Sequence, residues 1–294
     1  MPPPIAIAFF LHALAQGGIF SRIPDMQLAL GLNEAQLGLA LLGQPAGAIV
    51  SFLFASQVVE RLGTRVIILT TIPLLGLVLV GIALAPSLVV MWLGFAVFGA
   101  VFALSNVSIN VEADRVEAAS GRRLMNTCHG VWSIGLLTAS LIGTAMRGAN
   151  VAPALHFALV LIPVLVGMAL FAWPMQAAPP RPHSTTAKGF RIALPTTMTL
   201  LLLGYAIGAS LLEGGLRNWS VIFMRDSFVA PDWVDTLTLP AFMTAQSIGR
   251  LLADRAVHRW GPVALARGLT VVAWSGCCWW CSRRTSSWRS AASR

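Results

Sequence analysis

A carboxylate, Glu213, lies at the end of a long apolar run and is followed at once by Gly214 and Gly215. A charged side chain at the centre of a bilayer costs at least about 2.5–3.5 kcal/mol, so it is retained where it binds something. The two glycines are expected to weaken or break the helix, and broken helices beside polar groups form binding sites at mid-membrane. The alternative is a solvated pair at the outer interface with Arg217, one helical turn further on.

Two helix faces carry further polar groups. Asn106 and Asn110 are four residues apart, and Asn126, His129 and Ser133 share a second face. Because polar groups in lipid need partners, both faces are expected to point inward. They form either a hydrogen-bonding wall with a titratable His129 or contacts between helices. The second interpretation is preferred for Asn126, and both remain open for Asn110 and His129.

Four more residues have two interpretations each. His12 and Gln16, also four apart, either line a cavity or join two helices by hydrogen bonds. Trp219 either stacks on a bound ring or belongs to an aromatic belt at the membrane surface. Glu112 is expected to cap its helix, or leave it, at the interface.

Eight apolar segments carry these residues, and most have the roughly 20 residues that cross a hydrocarbon core of about 30 Å. A chain with 56% hydrophobic and 11% charged residues is too apolar for a soluble domain. The sequence therefore predicts an all-α polytopic membrane protein. The segments are Pro4–Phe20, Ala35–Val59, Val66–Ala85, Leu88–Val111, Met125–Met146, Ala154–Trp173, Ala193–Leu216 and Thr236–Val257.

The gaps between these segments alternate between many and few basic residues, and this alternation predicts the orientation of the chain in the membrane. With a cytoplasmic N-terminus, twelve fall on the cytoplasmic side and only four, at positions 22, 147, 217 and 225, on the other. By the positive-inside rule we expect a multi-pass inner-membrane protein with its N-terminus in the cytoplasm. The net charge of +9 is spread over loops, which argues against nucleic acid as a partner.

Several classes of protein lack support in the sequence. No H-E-x-x-H or G-x-S-x-G motif indicates an enzyme, and no filter loop or charge ring indicates a channel. The four cysteines, Cys128 and three after Gly276, predict neither disulfides nor a metal site, and no cofactor is expected.

The order of segments predicts two bundles. Residues 1–175 form a six-helix bundle, 176–192 a cytoplasmic linker, 193–276 an incomplete second bundle, and 277–294 an aberrant tail. The stretches Ser56–Arg65 and Gly249–Pro262 form a faint repeat, because each places an acid and an arginine at the cytoplasmic end of a helix. Parallel repeats of this kind are typical of one large class of transporters.

Three stretches resemble the major facilitator superfamily, in the branch that includes fucose permease and many bacterial inner-membrane transporters. Ser56–Arg65 is similar to the G-x-x-x-D-R-x-G-R-R loop, with Ser56, Glu60 and Thr64 in place of Gly, Asp and the first Arg of the pair. Ala103–Gly135 resembles the stretch across helices four and five. The third stretch, Glu213–Asp226, resembles a motif in helix seven. Asn106 and Asn218 stand where the branch usually has Asp.

The resemblance implies about 8–9 of twelve helices and a secondary transporter that moves a small polar solute, coupled to protons, by alternating access. It implies a monomer whose partners are the solute, protons and the bilayer. The alternatives are a truncated remnant without activity, or a drug or metabolite exporter of the same fold. The implied solute and proton path is Glu213, Asn106, Asn110, His129, Asn218 and Trp219; the implied cytoplasmic gate is Glu60, Arg61, Gly63, Arg65, Arg250 and Asp254.

The tail is predicted to result from a frameshift. Residues 277–294 contain four Arg and five Ser, which cannot continue a membrane helix. Cys has two codons and Trp has one, so the residues Cys277–Cys281 determine most of the bases that encode them. Reading those bases in the frame that starts one base earlier gives Leu-Leu-Val-Val, an apolar run as a ninth span requires. Sequencing the locus past codon 294 should therefore show further apolar segments in the shifted frame. A stop within a few codons there would mean that the tail is native.

Overall fold

The computed structural model describes residues 4–121, 124–179, 196–229, 231–261, 263–276 and 278, without the side chains at 232, 250, 251, 253–255 and 258. All regular structure in this part of the chain is helical. The helices are α1 (Pro4–Gly17), α2 (Ile23–Ala29), α3 (Glu34–Leu41), α4 (Gly43–Leu62), α5 (Thr64–Ala83), α6 (Leu88–Ser120), α7 (Met125–Gly148), α8 (Pro153–Gly167), α9 (Thr197–Ser227), α10 (Asp232–Thr236), α11 (Thr238–Trp260) and α12 (Val263–Gly276).

Seven stretches of the described chain are long and apolar enough to cross a membrane, which confirms the all-α polytopic prediction. The stretches are Pro4–Ser21, Glu34–Leu62, Thr64–Ala83, Leu88–Ser120, Met125–Gly148, Pro153–Ala172 and Thr197–Ser227. The predicted eighth span becomes α11, but this helix is too polar to count among them. Its second half carries Arg250, Asp254 and Arg255. The apolar α12 is shorter than a span.

Two local expectations are wrong. Helix α9 runs unbroken through Gly214 and Gly215, because a backbone in lipid cannot exchange its hydrogen bonds for water. A glycine in a helix costs only about 1 kcal/mol, less than the loss of those bonds. Helix α6 does not end near Val111 but continues to Ser120, so Glu112 lies inside the helix and is fully buried.

The core lies in the first part of the chain. Helix α4 packs on α6, α1 packs on α7, and α5 packs on both α6 and α8. Phe9, Phe95 and Phe98 are among the largest fully buried side chains. Contacts divide the chain into two units, residues 1–245 and 246–294, and α9 and α10 belong to the first. The boundaries predicted for the two bundles and the linker stay a prediction.

Helices α4 and α6 touch through glycines. A Cβ atom added at Gly47 would collide with the backbone oxygen of Ala96, and one added at Gly99 would collide with that of Gln44. Backbones approach this closely in membranes through small residues, which maximises van der Waals contact where no hydrophobic driving force exists. The α4–α6 contact therefore holds the polar face of α6 in place.

Replacing Gly47 with Ala is expected to destabilise the bundle by about 1–3 kcal/mol, as overpacking does. The control is Gly81→Ala, because a Cβ atom there would meet nothing within 4 Å. The rate at which the buried thiol of Cys128 reacts with a maleimide on heating measures the difference. Equal rates in the two variants would show that the glycine contact contributes nothing.

Candidate functional site

A hydrogen-bonded chain centred on His12 crosses the bundle. The Nε1–H of Trp132 donates to His12 Nδ1 at 3.2 Å, and His12 Nε2 lies 2.9 Å from Ser105 Oγ. Since Nδ1 accepts from the indole, the ring proton must lie on Nε2 and point at Ser105. Ser105 in turn donates to the backbone oxygen of Phe102 at 3.0 Å. Every step from the indole to the backbone thus has a donor and an acceptor.

This chain joins three helices. His12 belongs to α1, Ser105 to α6 and Trp132 to α7. The imidazole is fully buried and stacks on the Phe102 ring with 5.3 Å between centroids. Of the two interpretations given to His12, hydrogen bonding between helices is the one observed. Ser105 and Trp132 did not stand out in the sequence, although Ser105 directly precedes Asn106 and Trp132 lies one turn after His129.

An ion pair on α9 faces the same chain. Glu213 and Arg217 form the expected pair one turn apart, with their side chains 36% and 17% exposed. The Arg217 guanidinium also lies over two aromatic rings outside α9. Its distance is 5.8 Å to the Phe20 centroid and 6.0 Å to the Trp132 centroid. Trp132 therefore connects the ion pair to His12.

The depth of these groups follows from the helical rise. Arg22 and Arg225 mark the end of the bundle where α1 and α9 finish, which we call the Asp25 end. At about 1.5 Å per residue, Glu213 lies about 18 Å along α9 from Arg225, and His12 about 15 Å from Arg22. Half of a hydrocarbon core is about 15 Å. From these lengths both groups are expected near mid-membrane.

The two predicted polar faces differ in burial. On α6, Asn110 Nδ2 donates to the backbone oxygen of Asn106 at 2.8 Å, and both side chains are partly buried. On α7, Ser133 is buried and donates to the His129 oxygen at 3.0 Å, whereas Asn126 and His129 are exposed. The His129 ring meets Phe9 edge-on with 5.5 Å between centroids. The sharing of one face by Asn106 and Asn110 is thus observed.

Asn218 and Trp219 belong to a separate cleft between α9 and the α3–α4 pair. The cleft has a volume of about 380 Å³ and is lined by both residues together with Gly214, Gly215, Gln44 and Pro45, among others. Ligand pockets for small molecules measure about 300–1,000 Å³. Trp219 also packs against the core. The structure thus does not bring the six predicted path residues to one place: Asn106 and Asn110 share a face of α6, His129 lies beside Phe9, Glu213 pairs with Arg217, and Asn218 and Trp219 line this cleft.

The four gate residues of the first bundle divide into two kinds. Glu60 and Arg61 are exposed at the end of α4, and Gly63 ends that helix with φ +77°. Arg65 instead binds the end of the sixth span: Nε donates to Met175 O at 2.7 Å and Nη2 to Trp173 O at 2.6 Å. The side chains of Arg250 and Asp254 lie outside the described residues. The gate stays a prediction.

Glu112 connects the same end of the bundle to the start of the linker. Its Oε2 accepts from the Thr64 hydroxyl at 2.5 Å, and Oε1 accepts from the Ala178 backbone N–H at 2.7 Å. Thr64 stands where the resembling motif has Arg, so a hydroxyl takes the place of a cation. The expected capping role is wrong. That role belongs to Glu117, which accepts from Leu124 and Met125 N–H at 2.7 and 3.0 Å.

Replacing Glu112 with Ala should therefore destabilise the first bundle. Hydrogen bonds to a charged group are each worth about 1.5–3 kcal/mol, and two are lost. The exposed Glu60→Ala is the matched control at the same end. Heating the purified variants and following Cys128 reactivity compares them. A Glu112→Ala variant as resistant as Glu60→Ala would show that the buried carboxylate has no structural role.

Ionised and hydrogen-bonded side chains on apolar helices, connected across several helices, are typical of polytopic membrane proteins that move solutes or protons. A sequence model of the Major Facilitator Superfamily matches residues 5–292. The chain belongs to this superfamily.

Three relatives are uncharacterised in function or carry only a general name. An uncharacterised transporter of Sinorhizobium fredii is 27% identical over 90% of this chain and 69% of its own. An uncharacterised transporter of the same superfamily from Yersinia pestis is 25% identical over 89% and 67%. The membrane protein MosC of Rhizobium meliloti is 26% identical over 89% and 63%. These similarities support a major facilitator transporter.

Proposed function

We propose that this protein is a secondary transporter that moves a small polar solute together with protons, with Glu213 as the proton-binding group. One observation carries the proposal: the Glu213–Arg217 pair of α9 contacts Trp132, the donor to His12. A carboxylate that takes up a proton releases its arginine. Arg217 would then be free to bind the solute or to move away from Trp132.

The contacts of Trp132 explain how a change at Glu213 could reach the first bundle. Its ring lies beneath Arg217, and its Nε1–H holds His12, whose other nitrogen faces Ser105. Loss of the ion pair therefore alters a contact shared by α1, α6, α7 and α9. Alternating access requires such a contact between the moving halves of the transporter.

The chemistry of the path favours a neutral polar solute. Asn106, Asn110 and Asn218 offer amide donors and acceptors, and Trp219 offers a flat ring beside the cleft. The one strong cation of the path, Arg217, is already paired with Glu213. A sugar or another polyhydroxylated metabolite fits this combination. An acidic solute would compete with Glu213 for the guanidinium.

The test is solute-induced proton uptake in vesicles. Sugars, polyols, amino acids and sugar acids are added separately, and alkalinisation of the medium is recorded. Both the 294-residue chain and the product of the frame that gives Leu-Leu-Val-Val are assayed. Alkalinisation by neutral polyhydroxylated solutes is expected. A folded read-through product, with Cys128 protected, that responds to none of these solutes would contradict the proposal.

A further inference from the structure

Two buried arginines share one carboxylate at the Asp25 end of the bundle, away from the path described above. Arg22 Nη1 donates to Asp25 Oδ2 at 2.8 Å. Arg147 Nε lies 3.1 Å from Asp25 Oδ1, at ion-pair distance but without the alignment of a hydrogen bond. Arg22 is 2% exposed and Arg147 5%. Two cations thus face one anion in a site almost closed to solvent.

Some N–H donors of these two guanidinium groups have no hydrogen-bond acceptor in the described part of the chain. Nη2 of Arg22 and both Nε and Nη1 of Arg147 are buried without a hydrogen-bond acceptor among the described residues. His156 accepts from Arg22 Nε through Nδ1 at 3.2 Å, so its proton lies on Nε2, which is also buried without a partner. A buried donor without an acceptor costs about 1–3 kcal/mol, and more when it is charged.

The ion pairs at this end join two arginines to one carboxylate. Asp25 is the ion-pair partner of both Arg22 and Arg147. Asp235 of α10 is a second carboxylate, 1% exposed, with contacts of its own. Arg225 of α9 donates to Gln27 at 3.1 Å and pairs with Asp226. The cluster of Arg22, Asp25, Arg147 and His156 therefore contains two arginines that share one carboxylate.

We propose that a small inorganic anion, of the size of chloride, binds at this cluster and stabilises the first bundle. Buried charges are retained when they are paired, and guanidinium groups bind anions through N–H donors left over from other contacts. Asp25, the carboxylate that the two arginines share, is 21% exposed, whereas the arginines are almost fully buried. The ion would hold together the end of α1, the end of α7 and the start of α8.

The experiment uses the whole chain with Cys277, Cys278 and Cys281 replaced by Ser, so that Cys128, fully buried in the first bundle, is the one thiol left. The purified protein is heated in detergent at constant ionic strength while chloride replaces gluconate. The rate of Cys128 labelling by a fluorescent maleimide is recorded. A ligand at ten times its Kd should slow unfolding-limited labelling about tenfold, and the effect should saturate.

Three variants distinguish a site from a general salt effect. Arg147→Gln should lose the chloride dependence, whereas Arg61→Gln, which changes an exposed arginine elsewhere, should keep it. Asp25→Asn removes the competing carboxylate and should lower the half-saturating chloride concentration by about tenfold. This variant tests the proposal even if Arg147→Gln does not fold.

Other anions identify the source of the ligand. Phosphate and phosphatidylglycerol are each added in gluconate buffer without chloride. Protection by inorganic ions supports the proposal, whereas protection by the lipid alone would overturn it in favour of a headgroup. Labelling rates that do not change with any of these anions would also overturn it. So would a chloride effect that is unchanged in both Arg147→Gln and Asp25→Asn.

Discussion

Replacing Glu213 with Gln is expected to abolish solute-induced proton uptake while exchange of labelled solute across the membrane continues at a similar rate. Glutamine keeps the size and a hydrogen-bonding group but cannot take up a proton. Arg217, which Glu213 pairs with, remains in place over Phe20 and Trp132. The variant should therefore bind and exchange solute but lose coupling. Alkalinisation and counterflow, measured in the same vesicles, separate the two properties.

The control for this experiment is Glu34→Gln. Glu34 is an exposed carboxylate at the start of α3 and belongs to neither the predicted path nor the predicted gate, so the same chemical change there should leave alkalinisation intact. Proton-driven accumulation that persists undiminished in Glu213→Gln would remove this residue from the mechanism. Loss of both uptake and counterflow would assign it to solute binding instead of coupling.

Replacing Arg217 with Gln is expected to lower the stability of the protein more than replacing both Arg217 and Glu213 does. The single change leaves Glu213 near mid-membrane without its cation, and breaking a buried pair by removing one partner costs about 3–5 kcal/mol. With the pair partly exposed, we expect a smaller loss, of about tenfold in protection of Cys128 on heating. The double variant Glu213→Gln/Arg217→Gln removes both charges and should recover most of that protection.

Arg217→Lys is the matched charge-conserving change. Lysine keeps the ion pair but lacks the planar group that lies over Phe20 and Trp132, so its effect should fall between wild type and Arg217→Gln. Proton uptake should be absent from the double variant although it folds. If the two single changes simply added in the double variant, the residues would not be energetically coupled.

The spans were predictable because a backbone in lipid must satisfy its own hydrogen bonds, so apolar length translates directly into helix. The hydropathy pattern did not predict where a helix ends once it continues beyond its apolar region. Val111 ends the apolar run of α6, yet the helix continues because Glu112 finds Thr64 and Ala178 as donors. Those partners are 48 and 66 residues away in sequence. No local sequence pattern indicates hydrogen-bond partners so far away along the chain.

The candidate site was predictable in part for the same reason. The pairing of Glu213 with Arg217 follows from helical spacing and was weighed from the sequence. The link from Arg217 through Trp132 to His12 depends on how α9, α7 and α1 are rotated against one another. Arg22 and Arg147 entered the sequence argument only as orientation charges. Their shared carboxylate became visible only once the helix ends were placed together.

Solute protection of a cysteine at Asn110 tests the central claim, that this protein transports a solute along a path that includes the polar face of α6. In a chain otherwise free of cysteine, an impermeant maleimide should label Asn110→Cys, and the solute that drives alkalinisation should slow labelling at least about tenfold, as a ligand at ten times its Kd does. Leu201→Cys, on the exposed side of α9, should be unaffected by solute. Labelling of Asn110→Cys at the same rate with and without a transported solute would contradict the account.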